Sequence, residues 1–243
     1  MSTKLFLKIL LPQRLIEIYQ KVVLYYTKMK FKGLNNREAM QLVYKDKWWG
    51  GDSSSKFFSG RGSHDKHIIE PYIKAINSFL SDKGFEVIDL GCGDMHVGNH
   101  IFLNTKKYIA CDIVPELIEF NKERYKNVEK ISFECIDIVN DDLPKGDVVI
   151  IRQVLQHLSN ENIKKVIDKL YDYKFLILTE GIPNKDFESN LDNFTGPDIR
   201  LSKNSGIVLD KPPFNLRYKN MKVLLDVKDA KDNALIRTVL FEL

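Results

Sequence analysis

The residues that could do chemistry stand at the ends of short apolar runs. Val87-Ile88-Asp89-Leu90 leads into Gly91-Cys92-Gly93, and about twenty residues later Tyr108-Ile109-Ala110-Cys111 ends at Asp112. A strand, a glycine turn, a helix and a second strand ending in a carboxylate make the nucleotide-binding half of a doubly wound α/β sheet. The glycines let backbone approach a ligand closely, and Asp112 is placed to accept both hydroxyls of a ribose. The spacing departs from a dinucleotide turn, which wants G-x-G-x-x-G. Here Asp94, Met95 and His96 follow Gly93, and the next glycine is Gly98. An acid inside the turn repels a pyrophosphate and suits a ligand with a cationic amine and no phosphates.

The surrounding elements must position these groups. Asn36 to Tyr44 reads as a helix, followed by Trp48-Trp49-Gly50-Gly51 and the polar, glycine-rich DSSSKFFSGRGSHDKH. Aromatics and glycines mixed in this way suit a loop that closes over a ligand, the alternative being a cover with only a packing role. His67 to Ser81 is a helix with Ile68, Ile69, Tyr72, Ile73, Ile76 and Phe79 inward. After Asp112, Pro115 to Lys126 is a helix with proline in its first turn. Ile131 to Asp137 alternates as a third strand, and Gly146 to Ile151 is a fourth, apolar on both faces as a central parallel strand must be. A helix from Asn160 and a fifth strand, Phe175 to Thr179, follow, and the order β-α-β-α-β-α-β covers four strands. Residues 222–228 and 235–243, joined by DAKDNA, read as an antiparallel hairpin.

Composition narrows the class. The chain has 243 residues, 44% of them hydrophobic, which is one large domain or a domain with an added segment. Cys92, Cys111 and Cys135 each sit in or beside a buried strand; without a C-x-x-C they suggest neither disulfides nor zinc, and a reducing cytoplasm is expected. No metal site is expected. Residues 1–32 carry seven basic residues against Glu17 alone, a net +6 against +4 for the whole chain, which leaves −2 for the rest. That balance speaks against nucleic acid as a partner. KLFLKILL, residues 4–11, is too short and too interrupted for a secretory signal. From Leu15 to Tyr26 a broad apolar face flanked by lysines could lie on an anionic membrane surface or a partner, or pack on the protein's own body.

The stretch Asp89 to Gly93 resembles motif I of the class I S-adenosylmethionine-dependent methyltransferases, D-x-G-x-G-x-G, with Met95 at the third glycine. Acids after the first three strands and the closing hairpin strengthen the resemblance, which covers about residues 65–243 and leaves 1–64 as a helical extension and active-site cover. It implies a Rossmann-like, mostly parallel seven-stranded sheet and S-adenosyl-L-methionine as cofactor. The implied cofactor contacts are Asp89, Gly91, Cys92, Gly93, Asp112, Ile113, Asp137, Ile138 and Arg152, with Asp137 beside the adenine amino group. His157 follows strand four, where this family commonly places catalytic or substrate-facing residues, and titrates near neutrality; His64 is the second candidate base. The alternative for His157 is a capping or core histidine.

Residues 180–214 are long and hardly periodic, as in a substrate-binding loop. Arg200, with Arg61 and Arg152, could bind a phosphate or carboxylate bidentately, and Trp49 and Glu180 would join them at the acceptor; the alternative for each arginine is an ion pair within the protein. W-G-G, then S-G-R-G-S, then D-L-G-C-G-D looks like methyltransferases of bacterial capsule and surface-glycan pathways. The expectation is therefore methyl transfer to an oxygen of an anionic small molecule or glycan precursor. Two alternatives are action on protein or RNA, and an inert methyltransferase-fold binding module.

Overall fold

The structure, a computed structural model, describes residues 13–52 and 55–243. Residues 4–11 lie outside it. The chain forms two compact units, Met1–Asn35 and Asn36–Leu243. The first contains α1 (Gln13–Phe31). Along this helix Leu15, Ile18, Tyr19, Val22, Tyr25, Tyr26 and Met29 are exposed, while Thr27 and Phe31 are buried.

The second unit begins with α2 (Asn36–Lys45), the covering segment 46–64, and α3 (Lys66–Leu80). Asp65 caps α3 by accepting the His67 N–H at 3.0 Å. The inward face of α3 is Ile68, Ile69, Tyr72, Ile76 and Leu80, as the 3.6-residue period requires. A seven-stranded sheet follows: β1 (Glu86–Leu90), β2 (Lys107–Asp112), β3 (Ile131–Cys135), β4 (Val148–Arg152), β5 (Phe175–Pro183), β6 (Asn220–Asp229) and β7 (Ala234–Glu242). Their order is β3-β2-β1-β4-β5-β7-β6. The first five are parallel, and β7 pairs antiparallel with both β5 and β6. This is the Rossmann-like sheet with a terminal antiparallel hairpin that the sequence implied.

Alternate residues of the central strands feed two cores. Val87, Tyr108, Val148, Ile150 and Ile177 pack with Tyr72, Ile76 and Leu80 of α3 on one face. Ile88, Leu90, Val149, Ile151 and Leu176 pack with Ile163, Val166 and Leu170 of α5 (Asn160–Leu170) on the other. Each fully buried aliphatic side chain there contributes about 1.5–3 kcal/mol, so the strands are anchored from both sides.

Two crossovers differ from the expected alternation. Between β1 and β2 the chain makes only short 3₁₀ turns, Gly98–His100 and Phe102–Asn104, because Gly98, Asn99 and Asn104 are poor helix formers. Residues 136–147, between β3 and β4, contain no helix either. Among the crossovers of the parallel strands, α4 (Pro115–Arg124) and α5 are the α-helices described. β5 runs four residues beyond the expected end at Thr179, because β7 pairs with it as far as Pro183↔Ala234.

Candidate active site

The order of strand addition reverses between the parallel β1 and β4, and open α/β sheets take ligands at such a switch point, outside the carboxyl ends of the strands. A cavity of about 350 Å³ lies there, lined by Gly91, Gly93, Asp112, Ile113, Asp137, Ile138, Val154 and His157 among others. That volume is typical of a small-molecule site.

The glycine turn has its conformation for steric reasons. Gly91 has φ +87° and Gly93 φ +56°, and a Cβ at Gly91 would come within 2.3 Å of Val154 Cγ2. A Cβ at Gly93 would come within 2.2 Å of Ser59 Oγ. The Gly93 N–H donates to Asp112 Oδ2 at 3.1 Å, and the Val114 N–H donates to Asp112 Oδ1 at 3.1 Å. Burial nevertheless pushes the Asp112 carboxyl up to about 6, outweighing these two amides. Asp137 accepts from the Val139 N–H at 2.9 Å, from Asn140 Nδ2 at 2.7 Å and from Asn36 Nδ2 at 3.3 Å.

The donor set suits a nucleoside bearing no phosphate. Asp112 lines the cavity, and a carboxylate oxygen can accept more than one hydrogen bond, as ribose hydroxyls require; Ile113, Ile138 and Met40 supply apolar walls. Asp89 does not line this cavity. It sits beneath the turn, where Tyr108 Oη donates to its Oδ2 at 2.6 Å and burial raises its carboxyl to about 6. Cys92 likewise faces a separate pocket of about 30 Å³ that it shares with Asp89 and Arg152.

The covering segment is fastened to the turn. Asp94 accepts from the Ser59 N–H at 3.1 Å and meets His64 Nε2 at 2.7 Å, and its own N–H donates to Ser59 Oγ at 2.8 Å. Asp94 is thus committed to the cover, which corrects the expectation that it faces a ligand amine. His64 is corrected with it. Its ring stacks between Phe58 and His96, both at 4.2 Å, and lies outside the cavity lining. A carboxylate can only accept, so Nε2 carries a proton and is no base.

His157 lines the cavity with the Trp49 ring 4.8 Å away. Its Nδ1 is 3.1 Å from the Gly196 carbonyl. A carbonyl accepts only, so the proton is on Nδ1 and Nε2 keeps its lone pair. Burial lowers the imidazole to about 4, so it is neutral at neutral pH.

The arginines divide. Arg152 lines the cavity and ties the cover to β4, with Nη1 donating to Ser63 Oγ at 3.0 Å and Nη2 to the Gly62 carbonyl at 2.6 Å. Arg61 also lines it, but its guanidinium is already held by Asp65, Asp229 and Asp232. Arg200 is 1% exposed and Glu180 2%, and neither lines this cavity. All five N–H groups of Arg200 are taken by protein oxygens, so it has none left for an acceptor anion. The acceptor contacts expected of Glu180 and Arg200 are therefore corrected.

Sequence reading missed Asn36, Met40 and Tyr44, all on α2, and Gln153, Gln156 and Asp198. The α2 residues stand one helical turn apart, a 36-40-44 stripe that was legible but carries no residue peculiar to catalysis.

Residues 88–173 match the family model described as a methyltransferase domain. A phosphoethanolamine N-methyltransferase of Plasmodium falciparum (isolate 3D7) is 29% identical over 119 residues, covering 45% of this chain and 44% of the relative. The chain thus spans less than half that relative's length. Among solved structures, N-methyltransferase NodS from Bradyrhizobium japonicum WM9, in complex with S-adenosyl-L-homocysteine, gives a TM-score of 0.60 at 12% identity, covering 86% of this chain and 99% of that one. The 1,6-didemethyltoxoflavin-N1-methyltransferase of Burkholderia thailandensis gives 0.57 at 14%, covering 85% and 86%. Sequence and fold agree: residues 88–173 are similar to a methyltransferase domain, and the chain has the fold that these solved methyltransferases share.

Proposed function

We propose that the protein is an S-adenosylmethionine-dependent methyltransferase whose acceptor is a small molecule, methylated on oxygen and drawn from anionic metabolites or glycan precursors. The convergence of Gly91, Gly93, Asp112 and Asp137 on one cavity at the switch point carries this reading. When bound, S-adenosylmethionine supplies a methyl group on a sulfonium. Asp112 would hold the ribose, Ile113 and Ile138 the faces of the base, and Asp137 its amino group. The chain's own work is to orient the acceptor and exclude water, which the cover of Trp49, Ser59, Gly60 and Arg61 performs. His157 accepts a hydrogen bond from an acceptor hydroxyl at Nε2, displacing the long 3.5 Å contact that Gln156 Nε2 makes there. Division of labour falls near residue 64, with the cover before it and the sheet after it.

A second reading is an amine acceptor, since the relatives named above are N-methyltransferases and an unprotonated amine needs no base. Incubation with methyl-labelled cofactor separates the two. Transfer to phosphorylated metabolites or nucleotide-activated sugars, lowered about 10²–10⁴-fold by His157→Gln, supports oxygen. Transfer to amines at an unchanged rate in that variant supports nitrogen.

We also propose that residues 1–32 rest peripherally on an anionic membrane face, placing the enzyme at the inner surface of a cytoplasm. Among the described residues no helix is long and apolar enough to cross a membrane. The support is the exposed stripe of α1, with Tyr19, Tyr25 and Tyr26 suited to the headgroup boundary and Lys21, Lys28 and Lys30 beside it.

A further inference from the structure

The loop after β4 carries Gln153, Val154, Gln156 and His157 to the cavity, and its backbone is unusual. Gln153 has φ +55°, a left-handed conformation, and residues 155–157 form a single 3₁₀ turn. So short a turn leaves several N–H and C=O groups without partners of its own.

Two buried side chains take them. Glu180 Oε1 accepts the N–H groups of Val154 at 3.1 Å and Leu155 at 2.8 Å. Arg200 Nη1 donates to the carbonyls of Leu155 at 3.2 Å and Gln156 at 3.0 Å, and Nη2 to that of Leu158 at 2.8 Å. Leu155 is therefore gripped at both ends, its N–H by an acid and its C=O by a cation. The same guanidinium reaches Leu191 O through Nε at 2.9 Å. That fastens one end of the segment carrying Gly196, which accepts from His157 Nδ1 and returns its own N–H to the His157 carbonyl at 3.0 Å.

We infer that Glu180 and Arg200 are positioning residues: a buried clamp of one acceptor and one multiple donor that holds the β4 loop by its N–H groups and its carbonyls and thereby fixes the tautomer and placement of the His157 imidazole. The inference rests on the proposed role of His157 at the acceptor. Burying two ionisable groups is costly, and apolar packing of equal volume is often at least as stable. The clamp uses what an apolar core lacks, an acceptor and five donors of fixed direction.

The test is nitrogen NMR of the His157 imidazole in ligand-free protein, assigned by comparison with His157→Gln, on Glu180→Gln, Glu180→Leu and Arg200→Lys. Calorimetry with S-adenosylhomocysteine and single-turnover rates accompany it. Glu180→Gln keeps an acceptor oxygen and should preserve the neutral Nδ1–H form. Glu180→Leu and Arg200→Lys should give mixed tautomers and a titration moved toward the ordinary value near 6.5, with kcat about 10²-fold lower and S-adenosylhomocysteine binding retained. Arg200→Lys keeps charge and bulk, so it remains informative if Glu180→Leu does not fold. A wild-type His157 signal in Arg200→Lys would overturn the clamp, leaving only a charge requirement. Because the NMR reading needs no cofactor, failure of the methyltransferase assignment would show separately, as absent S-adenosylhomocysteine binding.

Discussion

Burial moves His157 and Asp112 in opposite directions on the pH scale, because it disfavours whichever form is charged. His157 falls to about 4 and Asp112 rises to about 6. For His157 the folded protein binds fewer protons than the unfolded chain between about pH 6.5 and 4. Its stability contribution is present above 6.5 and lost as pH falls through 4, about 3 kcal/mol in all. Urea unfolding at pH 7 and 4 should show wild type losing more stability on acidification than His157→Gln, by an amount of that order. Equal losses would mean that the imidazole is solvated. At saturating cofactor, which removes the effect of Asp112 protonation on binding, a His157-dependent rate should stay level from pH 7 to 5, where an ordinary histidine would already have cut it. Asp112 has the reverse sign: its stability contribution is present below about pH 4 and lost as pH rises through 6. Asp112→Asn should therefore melt no lower than wild type at pH 7.5 while binding cofactor less well, which paired melts and titrations would check.

At the scale of elements, the glycine turn and the cover form one mechanical unit. Ser59 sits where a Gly93 side chain would go, and Asp94 holds Ser59 and His64 in place. Gly93→Ala should displace the cover as well as strain the turn, at about 1–3 kcal/mol for the left-handed backbone. Limited proteolysis within 50–64 should accelerate in that variant while the sheet stays intact by circular dichroism. An unchanged cleavage rate would mean that the cover is held elsewhere. The helix α1 makes a separate prediction. Truncation after Lys32 should abolish flotation with anionic vesicles and leave the melt unchanged, each basic residue near a lipid surface contributing about 1 kcal/mol. A collapsed melt, with no lipid binding by the intact chain, would contradict the membrane role.

For the molecule as a whole, much of the architecture was legible because periodicity and punctuation agree in it. The doubly apolar β4, the proline opening α4 and the Ser159 cap of α5 each state their element locally. The two helix-free crossovers were not legible, since an apolar Ile101-Phe102-Leu103 can as easily be packed by 3₁₀ turns as by a helix. The convergence of Gly91, Gly93, Asp112 and Asp137 on one cavity was readable because each lies at or just past the carboxyl end of a strand. Glu180 and Arg200 were misread for a physical reason: charge in a long loop looks like substrate recognition until its hydrogen bonds are counted.

The central claim, that this cavity binds S-adenosylmethionine through the acid at the end of β2, is tested most directly by calorimetric titration with S-adenosylhomocysteine. Wild type should bind one equivalent, and Asp112→Ala should weaken binding by about 1.5–3 kcal/mol, the range for hydrogen bonds to a charged group. Equal affinity in the two proteins, or none in wild type, would contradict the account.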